Sequence, residues 1–333
     1  MAVTLKDIAE AVGVSKRTVS EILNRKGKPY SPLTVEKVFA TAERLGYRPN
    51  AQARAVASGR VGTIALVLGE QHYSHLPQEL LHGIHNELAK HDLRLLITVL
   101  SDAELEDDTF MPDILTNLVC DAILINYHYR FPPRIIDAID HYRVPAVWIN
   151  VRNPTDAVCF DEKAGIYTLL DELVAQGHSR IYYVDRHLHE EFHHYSTDER
   201  LAAYRSYMDE HGLEGHVFGE VQRPFSSMVD EWLEQAEPPT AAVCYSQSMA
   251  SDLAYLLLQR GLSVPKNFSL ASFTRHSNGH PRISVMEQPW TALGRAAARL
   301  LLKRLDSDAP LPAETISLTL DQTKSDTIGP VPS

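Results

Sequence analysis

Residues 4–20 read TLKDIAEAVGVSKRTVS, and this pattern predicts two short helices joined by a tight turn. Thr4 offers an N-cap oxygen to the first helix, whose apolar residues recur at helical spacing. Gly13 permits the backbone to reverse, and Ser15 caps the second helix. The second helix is expected to bury Val19 and to present its polar side chains outward. Such a pair is a helix-turn-helix, a motif whose second helix fits the major groove of DNA.

A third predicted helix completes a small core beside this pair. Ser31 caps it, Pro32 stands in its first turn, and its apolar residues continue up to Gly46. The next segment, residues 49–60, has a capping residue in Asn50 but is too short to be a stable helix alone in water. We therefore expect this hinge to become ordered only against DNA or a partner.

Charge is divided unevenly along the chain. Residues 1–60 hold eleven Lys and Arg against five Asp and Glu, a net charge of +6, whereas the whole chain carries −11. The remainder is therefore at −17. The basic segment is the part that suits a polyanion such as DNA. The acidic remainder is expected to repel DNA, which limits nonspecific contacts. The alternative is that it only provides solubility, and the two roles are compatible.

Composition indicates a globular protein larger than one average domain, with 333 residues of which 44% are hydrophobic. No apolar run reaches the length of a membrane span, and Met1 leads directly into the first helix without a secretory signal. We predict a cytoplasmic protein that has no membrane partner and that associates with the nucleoid when bound to DNA. Cys120, Cys159 and Cys244 lie far apart in apolar contexts, which predicts reduced core residues. No cofactor is expected.

From Val61 onward, short apolar runs alternate with amphipathic segments, a rhythm typical of a parallel sheet with crossover helices. The predicted strands are residues 63–68, 93–100, 122–126, 145–150, 181–185, 241–245 and 270–273. Their number suits two doubly wound lobes. In such lobes the loops that bind ligands lie at the carboxyl ends of the strands.

Two motifs, Val14-Ser15-x-x-Thr18-Val19-Ser20 and Gly46-Tyr47-x-Pro49-Asn50-x-x-Ala53-Arg54, resemble those of the lactose-repressor (LacI/GalR) family of bacterial transcription regulators. The resemblance covers essentially the whole chain. It implies an all-α helix-turn-helix head over residues 1–48, a hinge over 49–60 and an α/β periplasmic-binding-protein-like core over 61–333. The core would hold a first lobe at about 61–161 and a second at about 162–288, with the C-terminal segment shared between them.

The resemblance implies a sequence-specific DNA-binding regulator rather than an enzyme. A repressor is expected, bound to a palindromic operator as a homodimer, with a tetramer as the alternative assembly. A small polar metabolite between the lobes would modulate it. The alternative is a regulator that lacks a sugar effector and is controlled by a protein corepressor or by its abundance.

Several residues of the head are predicted to contact DNA. Lys16 and Arg17 lie in the first turn of the second helix, where a bidentate contact with guanine is favoured. Glu21 stands where many relatives carry arginine, and its carboxylate either accepts a hydrogen bond from cytosine N4 or is merely exposed to solvent. Polar groups expected to bind phosphates and fix the register belong to Thr4, Ser15, Thr18, Ser20, Asn24, Thr34 and Tyr47.

The hinge is expected to read the minor groove through Asn50, Ala53, Arg54 and Val56. Relatives place a leucine wedge where this chain has Val56. Because valine is shorter and branched, it should insert less deeply and support a smaller kink in the DNA. Affinity would then depend more on Arg54 and on phosphate contacts.

Effector contacts are nominated from the resemblance, at or near strand ends and helix starts: Tyr73, His75, Asn150, Arg200, Phe225, Gln247, Thr274, Arg275 and Trp290. Gln247 and Thr274 stand where the family usually has aspartates, and Arg275 is adjacent. A sugar or an anionic sugar derivative is expected, and the loss of these carboxylates favours the anionic effector over a neutral hexose, with Arg200 and Arg275 available to an anion. The alternative for Arg275 is a side chain that points away and pairs with a surface acid.

Residues 189–193, HEEFH, match the H-E-x-x-H pattern of zinc hydrolases. Their surroundings are polar and lack apolar periodicity, which favours a solvated loop rich in histidine over a catalytic helix. A zinc hydrolase is thus a distant alternative, and no metal site is expected.

Overall fold

A computed structural model describes residues 3–24, 30–48, 59–70, 76–127, 131–188, 194–219, 224–274, 283–307 and 309–332. The chain divides into two compact units, Met1–Val61 and Gly62–Ser333. Each unit has a hydrophobic core of its own.

The first unit is built on three helices: α1 (Leu5–Val12), α2 (Lys16–Leu23) and α3 (Pro32–Arg44). The side-chain oxygens of Thr4, Ser15 and Ser31 accept hydrogen bonds from backbone N–H groups in the first turns of these helices, which confirms the predicted caps. Gly13 ends α1 with a φ of +77°, a conformation that favours glycine. The buried core consists of Ile8, Ala9, Val19, Ile22, Val38 and Ala42. The helix-turn-helix is thereby confirmed.

The second unit contains two sheets with helices packed around them. Its strands are β1 (Thr63–Gly69), β2 (Arg94–Leu100), β3 (Ala122–Asn126), β4 (Ala146–Ile149), β5 (Ala157–Phe160), β6 (Ile181–Val184), β7 (His216–Phe218), β8 (Ala241–Cys244), β9 (Ser269–Thr274), β10 (Ser284–Glu287), β11 (Thr315–Leu318) and β12 (Asp321–Thr323).

The helices of this unit are α4 (Gln78–Ala89), α5 (Asp102–Glu106), α6 (Asp113–Thr116), α7 (Pro133–Tyr142), α8 (Glu162–Ala175), α9 (Tyr195–Glu210), α10 (Phe225–Leu233), α11 (Gln247–Gln259) and α12 (Trp290–Leu305). Among the described helices, none is both long enough and apolar enough to cross a membrane. Cys120, Cys159 and Cys244 are buried free thiols, as predicted.

Both sheets have six strands, and the fold class predicted from the sequence is confirmed. The first sheet has the order β11-β5-β4-β3-β1-β2 and is parallel throughout. The second has the order β12-β10-β9-β8-β6-β7, and only β12 runs antiparallel to its neighbour. The seven predicted strands correspond to β1 to β4, β6, β8 and β9.

The chain passes between the two sheets more than once. It completes β1 to β5 in the first sheet, builds the second sheet from β6 to β10, and returns to add β11 beside β5. It then crosses again to place β12 beside β10. We refer to each sheet with its helices as the first lobe and the second lobe. Each lobe is therefore assembled from segments that are distant in sequence.

Two glycines allow α12 to lie directly against α4. A Cβ atom added at Gly83 would lie 2.3 Å from the carbonyl oxygen of Thr291, and one added at Gly294 would lie 2.4 Å from that of Leu80. Real Cβ atoms do not approach other atoms so closely, so both positions require glycine for this backbone contact. The contact fixes the C-terminal helix against the first helix of this unit.

His178 joins three parts of the second lobe. Its Nδ1 lies 2.8 Å from the hydroxyl oxygen of Thr240, and its Nε2 lies 2.9 Å from that of Ser269 and 3.0 Å from the carbonyl oxygen of Gly329. A carbonyl oxygen only accepts hydrogen bonds, so Nε2 carries the proton and Nδ1 accepts from Thr240. Burial lowers the pKa of the imidazole, and the Gly329 carbonyl opposes this only in part. The ring is therefore held in its neutral form.

We expect the contribution of His178 to stability to depend on pH. The unfolded chain takes up a proton near the ordinary histidine pKa of about 6.5, whereas the folded protein resists protonation, so this contribution is present above that pH and lost below it. The measurement is the free energy of unfolding of the wild type and of His178→Gln in urea, from about pH 8 to about pH 5. The difference between the two proteins should shrink as the pH falls. A difference that is constant across this range would contradict the neutral assignment.

Candidate nucleic-acid interface and interlobe site

The outer face of α2 is the candidate nucleic-acid interface. Val19 and Ile22 are buried in the core of the first unit, which turns Lys16 and Arg17 to the exposed side of the helix. Ser15 sits at the helix start, where its Oγ accepts a hydrogen bond from the backbone N–H of Thr18 over 3.0 Å. The helix thus presents two cations beside its positively polarised N-terminus, an arrangement suited to phosphates and base edges.

The remaining predicted contacts of the head lie on or near its surface. Asn24 is exposed, and its Nδ2 donates to the backbone oxygen of Ser20 over 2.8 Å. The hydroxyl of Thr4 donates to Asp7, and Thr34 shares a hydrogen bond with Ser31. Partly buried residues in this set are Thr18, Ser20, Glu21, Thr34 and Tyr47. Contact of all these residues with DNA stays a prediction.

The carboxylate of Glu21 is engaged within the head and is not left open to DNA or solvent, as was expected from the sequence. Its Oε1 accepts a hydrogen bond from Nε of Arg17 over 2.8 Å, and its Oε2 accepts one from the hydroxyl of Tyr30. These contacts with Tyr30 and Arg17 lower the pKa of the Glu21 carboxyl, so it is ionised at neutral pH. The sequence did not identify Tyr30 as a partner of Glu21, although Tyr30 follows α2 in the chain.

The predicted hinge contacts Asn50, Ala53, Arg54 and Val56 lie outside the described residues. The same holds for the effector candidates Tyr73, His75 and Arg275, and for the histidine pattern at residues 189–193. Among the residues that the structure does describe, no group of three or more His, Cys, Asp or Glu side chains is arranged to hold a metal ion.

A buried ion pair lies where strands of the second sheet end. Nε of Arg200 donates to Oε2 of Glu162 over 2.6 Å, and its Nη1 donates to the carbonyl oxygen of Tyr245 over 2.8 Å. The guanidinium carbon lies 3.7 Å from the centre of the Phe273 ring and 4.7 Å from that of Tyr245. Burial is the largest single influence and lowers the pKa of Arg200, but the charge of Glu162, its hydrogen bond and the neighbouring tyrosines together outweigh burial, so the pKa is raised. Arg200 therefore remains a cation with its counter-ion in place.

Two hydroxyl groups beside this ion pair are buried without a hydrogen-bond partner in the described structure. They belong to Tyr183 on β6 and Thr197 on α9, which are 0% and 1% exposed. The neighbouring Ser196 hydroxyl lies 2.8 Å from that of Tyr245. Burying a hydroxyl without a partner is costly, so unpaired groups at a strand end are candidates for satisfaction by a ligand.

Polar contacts connect this region to the first lobe. Asn150, which follows β4 with a φ of +55°, accepts a hydrogen bond from the Tyr195 hydroxyl through Oδ1 over 3.2 Å. Its carbonyl oxygen lies 2.8 Å from Nε2 of His194. Arg152 pairs with Glu199 at 2.5 Å. The end of β4 and the start of α9 are therefore held together by side chains that come from both lobes.

The other effector candidates are distributed around the second lobe and its border. Thr274 donates its hydroxyl to Oε1 of Gln247 over 2.7 Å, so the structure brings these two predicted residues together. Phe225 lies in a core cluster of the second lobe with Met228 and Trp232. Trp290 is 4% exposed and packs edge to face on Phe160. Ligand contact by Phe225 and Trp290 stays a prediction.

The Arg200 prediction needs refinement, because two of its nitrogens already serve the protein itself. Residues that sequence reasoning missed here are Glu162, Tyr183, His194, Tyr195, Thr197 and Tyr245. The signal for Glu162 was available, since Asp161-Glu162 directly follows a strand. The pairing of Glu162 with Arg200 was not visible in the sequence.

We expect Arg200→Leu to destabilise the second unit by about 3–5 kcal/mol, because it leaves the carboxylate of Glu162 buried without a cation. The double variant Glu162→Gln with Arg200→Leu should recover part of this loss. Urea unfolding measures both. The control is Lys324→Ala, which removes a pair with Glu172 at 3.6 Å in which the lysine is 69% exposed, and which should cost less than about 1 kcal/mol. Equal effects of the two single variants would contradict the role of the buried pair.

Comparison with known proteins agrees with this architecture. The profile for bacterial regulatory proteins of the lacI family matches residues 4–50, and the profile for a periplasmic binding protein-like domain matches residues 170–325. Catabolite control protein A of Priestia megaterium is 28% identical over 323 residues, with 92% of this chain and 94% of that protein covered. The HTH-type transcriptional regulator AscG of Escherichia coli (strain K12) is 28% identical over 333 residues, with 94% and 95% covered.

Among solved structures, the Lac repressor dimer bound to operator and the anti-inducer ONPF superimposes with a TM-score of 0.79 at 22% identity, over 99% of this chain and 100% of that one. This likeness concerns the fold. The two domain matches and the relatives that align over nearly the whole chain agree with one another. The chain carries a helix-turn-helix domain of the lacI family and a periplasmic-binding-protein-like domain, and it is a DNA-binding transcriptional regulator.

Proposed function

We propose that this regulator is a repressor that binds a palindromic operator as a homodimer, and that a neutral polyhydroxylated ligand bound between the lobes changes its affinity for DNA. The observation that supports the proposal most directly is the pair of buried, unpaired hydroxyls of Tyr183 and Thr197. They lie near the hydrogen bonds that join α9 to Asn150 of the first lobe. The proposed role is binding and switching, without catalysis.

The head supplies the reading surface of this proposal. Lys16 and Arg17 are exposed on α2, and the basic charge of the chain is concentrated in its first sixty residues. Phosphate contacts by such cations provide affinity, while base-edge contacts in the major groove provide sequence preference. One head has few side chains that can reach bases, so two heads on a palindrome are needed for a specific site.

The chemistry of the interlobe region favours a neutral sugar over an anion. The charge of Arg200 is compensated by Glu162 at 2.6 Å, so the guanidinium does not attract an anion as an isolated cation would. The hydroxyls of Tyr183 and Thr197 are each able to donate or accept a hydrogen bond. They match the hydroxyl groups of a sugar, and the ring of Tyr245 adds an apolar face.

The position of these groups explains how binding would be transmitted. Thr197 lies on α9 close to His194 and Tyr195, which bind Asn150 of the first lobe. A ligand that engages α9 differently in two arrangements of the lobes shifts the balance between them. DNA affinity then changes by the same coupling free energy, typically 5- to 150-fold, or about 1–3 kcal/mol.

A homodimer is supported by an apolar edge of the first sheet. β2 is the edge strand, and three of its side chains are exposed: Leu96 at 38%, Ile97 at 46% and Val99 at 52%. Apolar residues on an exposed edge strand favour pairing with another chain. A second copy fits because the solved Lac repressor is a dimer and because a palindromic site presents two equal halves.

The test of ligand response begins with selection of the purified protein on randomised duplex DNA. The enriched site is then used to measure affinity with neutral sugars, sugar acids and sugar phosphates. We expect an enriched palindrome and a change of about 5- to 150-fold with a neutral sugar. Thr197→Val should lose this response, measured as the ratio of its DNA affinities with and without ligand. The control is Thr168→Val, which removes a hydroxyl from the surface of α8 and should keep the response.

Three outcomes would contradict this proposal. A response to anionic sugars alone would assign the site to a different ligand class. Loss of response in both threonine variants, or in neither, would remove Thr197 from the ligand site. Absence of any enriched sequence would contradict sequence-specific binding itself.

The homodimer is tested by charge on the β2 edge. Ile97→Lys should shift the sedimentation coefficient from dimer to monomer and weaken binding to the palindrome, because a lysine cannot be buried in an apolar interface without a partner. Tyr142→Lys places the same charge on α7, which follows β3 away from the β2 edge, and should leave the dimer intact. A wild type that sediments as a monomer would overturn the assembly.

A further inference from the structure

Glu21 lies on α2, the helix predicted to enter the major groove, and connects it to the core of the head. Its two carboxylate oxygens are taken by different donors, Nε of Arg17 at 2.8 Å and the hydroxyl of Tyr30. Tyr30 is partly buried and packs against the core of the first unit. A chain of contacts therefore runs from the core through Tyr30 and Glu21 to Arg17.

The two charged members of this chain differ sharply in exposure. The side chain of Arg17 is 87% exposed, whereas that of Glu21 is 24% exposed. The carboxylate is thus set back toward the helix, and the guanidinium extends beyond it. Because Glu21 engages Nε, the two terminal nitrogens of Arg17 are left outside this contact. Those are the nitrogens that can form an end-on, two-point contact with O6 and N7 of guanine.

The ion pair between Glu21 and Arg17 restricts the conformation of the Arg17 side chain more than it stabilises the fold. An exposed ion pair one helical turn apart contributes little to folding, since two long side chains must be immobilised to make it. Here Tyr30 already fixes the carboxylate. Arg17 then loses less conformational freedom when it meets DNA than an unrestrained arginine would. The pairing also neutralises a carboxylate that would otherwise repel the phosphates.

We propose that Glu21 is a positioning residue that orients Arg17 for an end-on contact with guanine and that Glu21 itself reads no base. This inference rests on the proposed binding of a palindromic operator through α2. It accounts for an acidic side chain on the helix face that meets a polyanion. Tyr30, which lies outside α2, would then help to orient Arg17 through its hydrogen bond to Glu21.

The test compares sites selected from randomised duplexes by the wild type, Arg17→Ala, Glu21→Ala and the double variant. We expect Arg17→Ala and Glu21→Ala to relax the same half-site position, each with a roughly tenfold loss of guanine preference. The double variant should select the same sites as Arg17→Ala alone. Effects that add, with Glu21→Ala altering a second base pair, would show that Glu21 reads a base and would overturn the proposal.

Two further variants keep the test valid if Glu21→Ala disturbs folding of the head. Tyr30→Phe removes only the hydroxyl and should cause a partial loss at the same position. Glu21→Gln keeps an acceptor for Arg17 and should retain part of the preference. The matched control is Glu10→Ala, which removes the ion pair with Lys6 at the same spacing on α1 and should leave the selected site unchanged.

The outcomes separate this inference from the proposed function. A wild type that enriches no sequence contradicts operator binding, and the inference fails with it. An enriched palindrome that Tyr30→Phe and Glu21→Gln leave unchanged overturns only the positioning role. The same holds if Arg17→Ala relaxes no position.

Discussion

Burial on both faces of the parallel strands limits where this chain can place polar groups. Every residue of β3, β6 and β8 is buried, because helices cover the sheets from both sides. A polar side chain within such a strand needs a partner inside the protein, as the Tyr182 hydroxyl on β6 has in Gln235. Apart from Tyr183 on β6, the polar side chains of the candidate site therefore lie where strands end and helices begin. Glu162, Arg200 and Thr197 all lie in such positions, at the starts of α8 and α9.

The two units meet the same demand for satisfied polar groups in different ways. In the head, short side chains at helix starts cap exposed backbone N–H groups, and a core of six buried residues is sufficient for three helices. In the second unit, buried charges are paired and buried hydroxyls are left open beside them. In the proposed function, the head reads DNA and the second unit senses a ligand through its unsatisfied hydroxyls. Linkage between these sites is reciprocal, so DNA would also alter ligand affinity.

Sequence patterns located the strands that are long or continuously apolar, such as β1 and β3, because burial on both faces leaves an unmistakable run. They missed β5, β7 and β10, although β5 and β10 have four residues, as do β4, β6 and β8, which were predicted, so length does not explain the difference. They also missed β11 and β12, which lie at sheet edges and alternate between exposed and partly buried residues. Edge strands are only partly covered, so their composition does not separate them from loops.

The candidate site was predictable only in part for a related reason. A motif can place Arg200 at the start of a helix, but its counter-ion comes from a residue 38 positions earlier, and Tyr245 comes from 45 positions later. Such pairings depend on how strands are ordered in the sheet. The same limit applies in the head, where Glu21 was interpreted from its helix position and its contact with Tyr30, nine residues away, was not foreseen.

The crossing of α12 against α4 has a consequence for synthesis of the protein. The ribosome completes the three helices of the head early, but the first sheet lacks α12 and the edge strand β11 until almost the whole chain has been made. A chain that terminates before Trp290 keeps every residue of the head and loses the elements that complete the first lobe. A nonsense mutation late in the gene therefore spares the head but leaves the first lobe incomplete, whereas a missense mutation in the core of the head leaves the second unit intact.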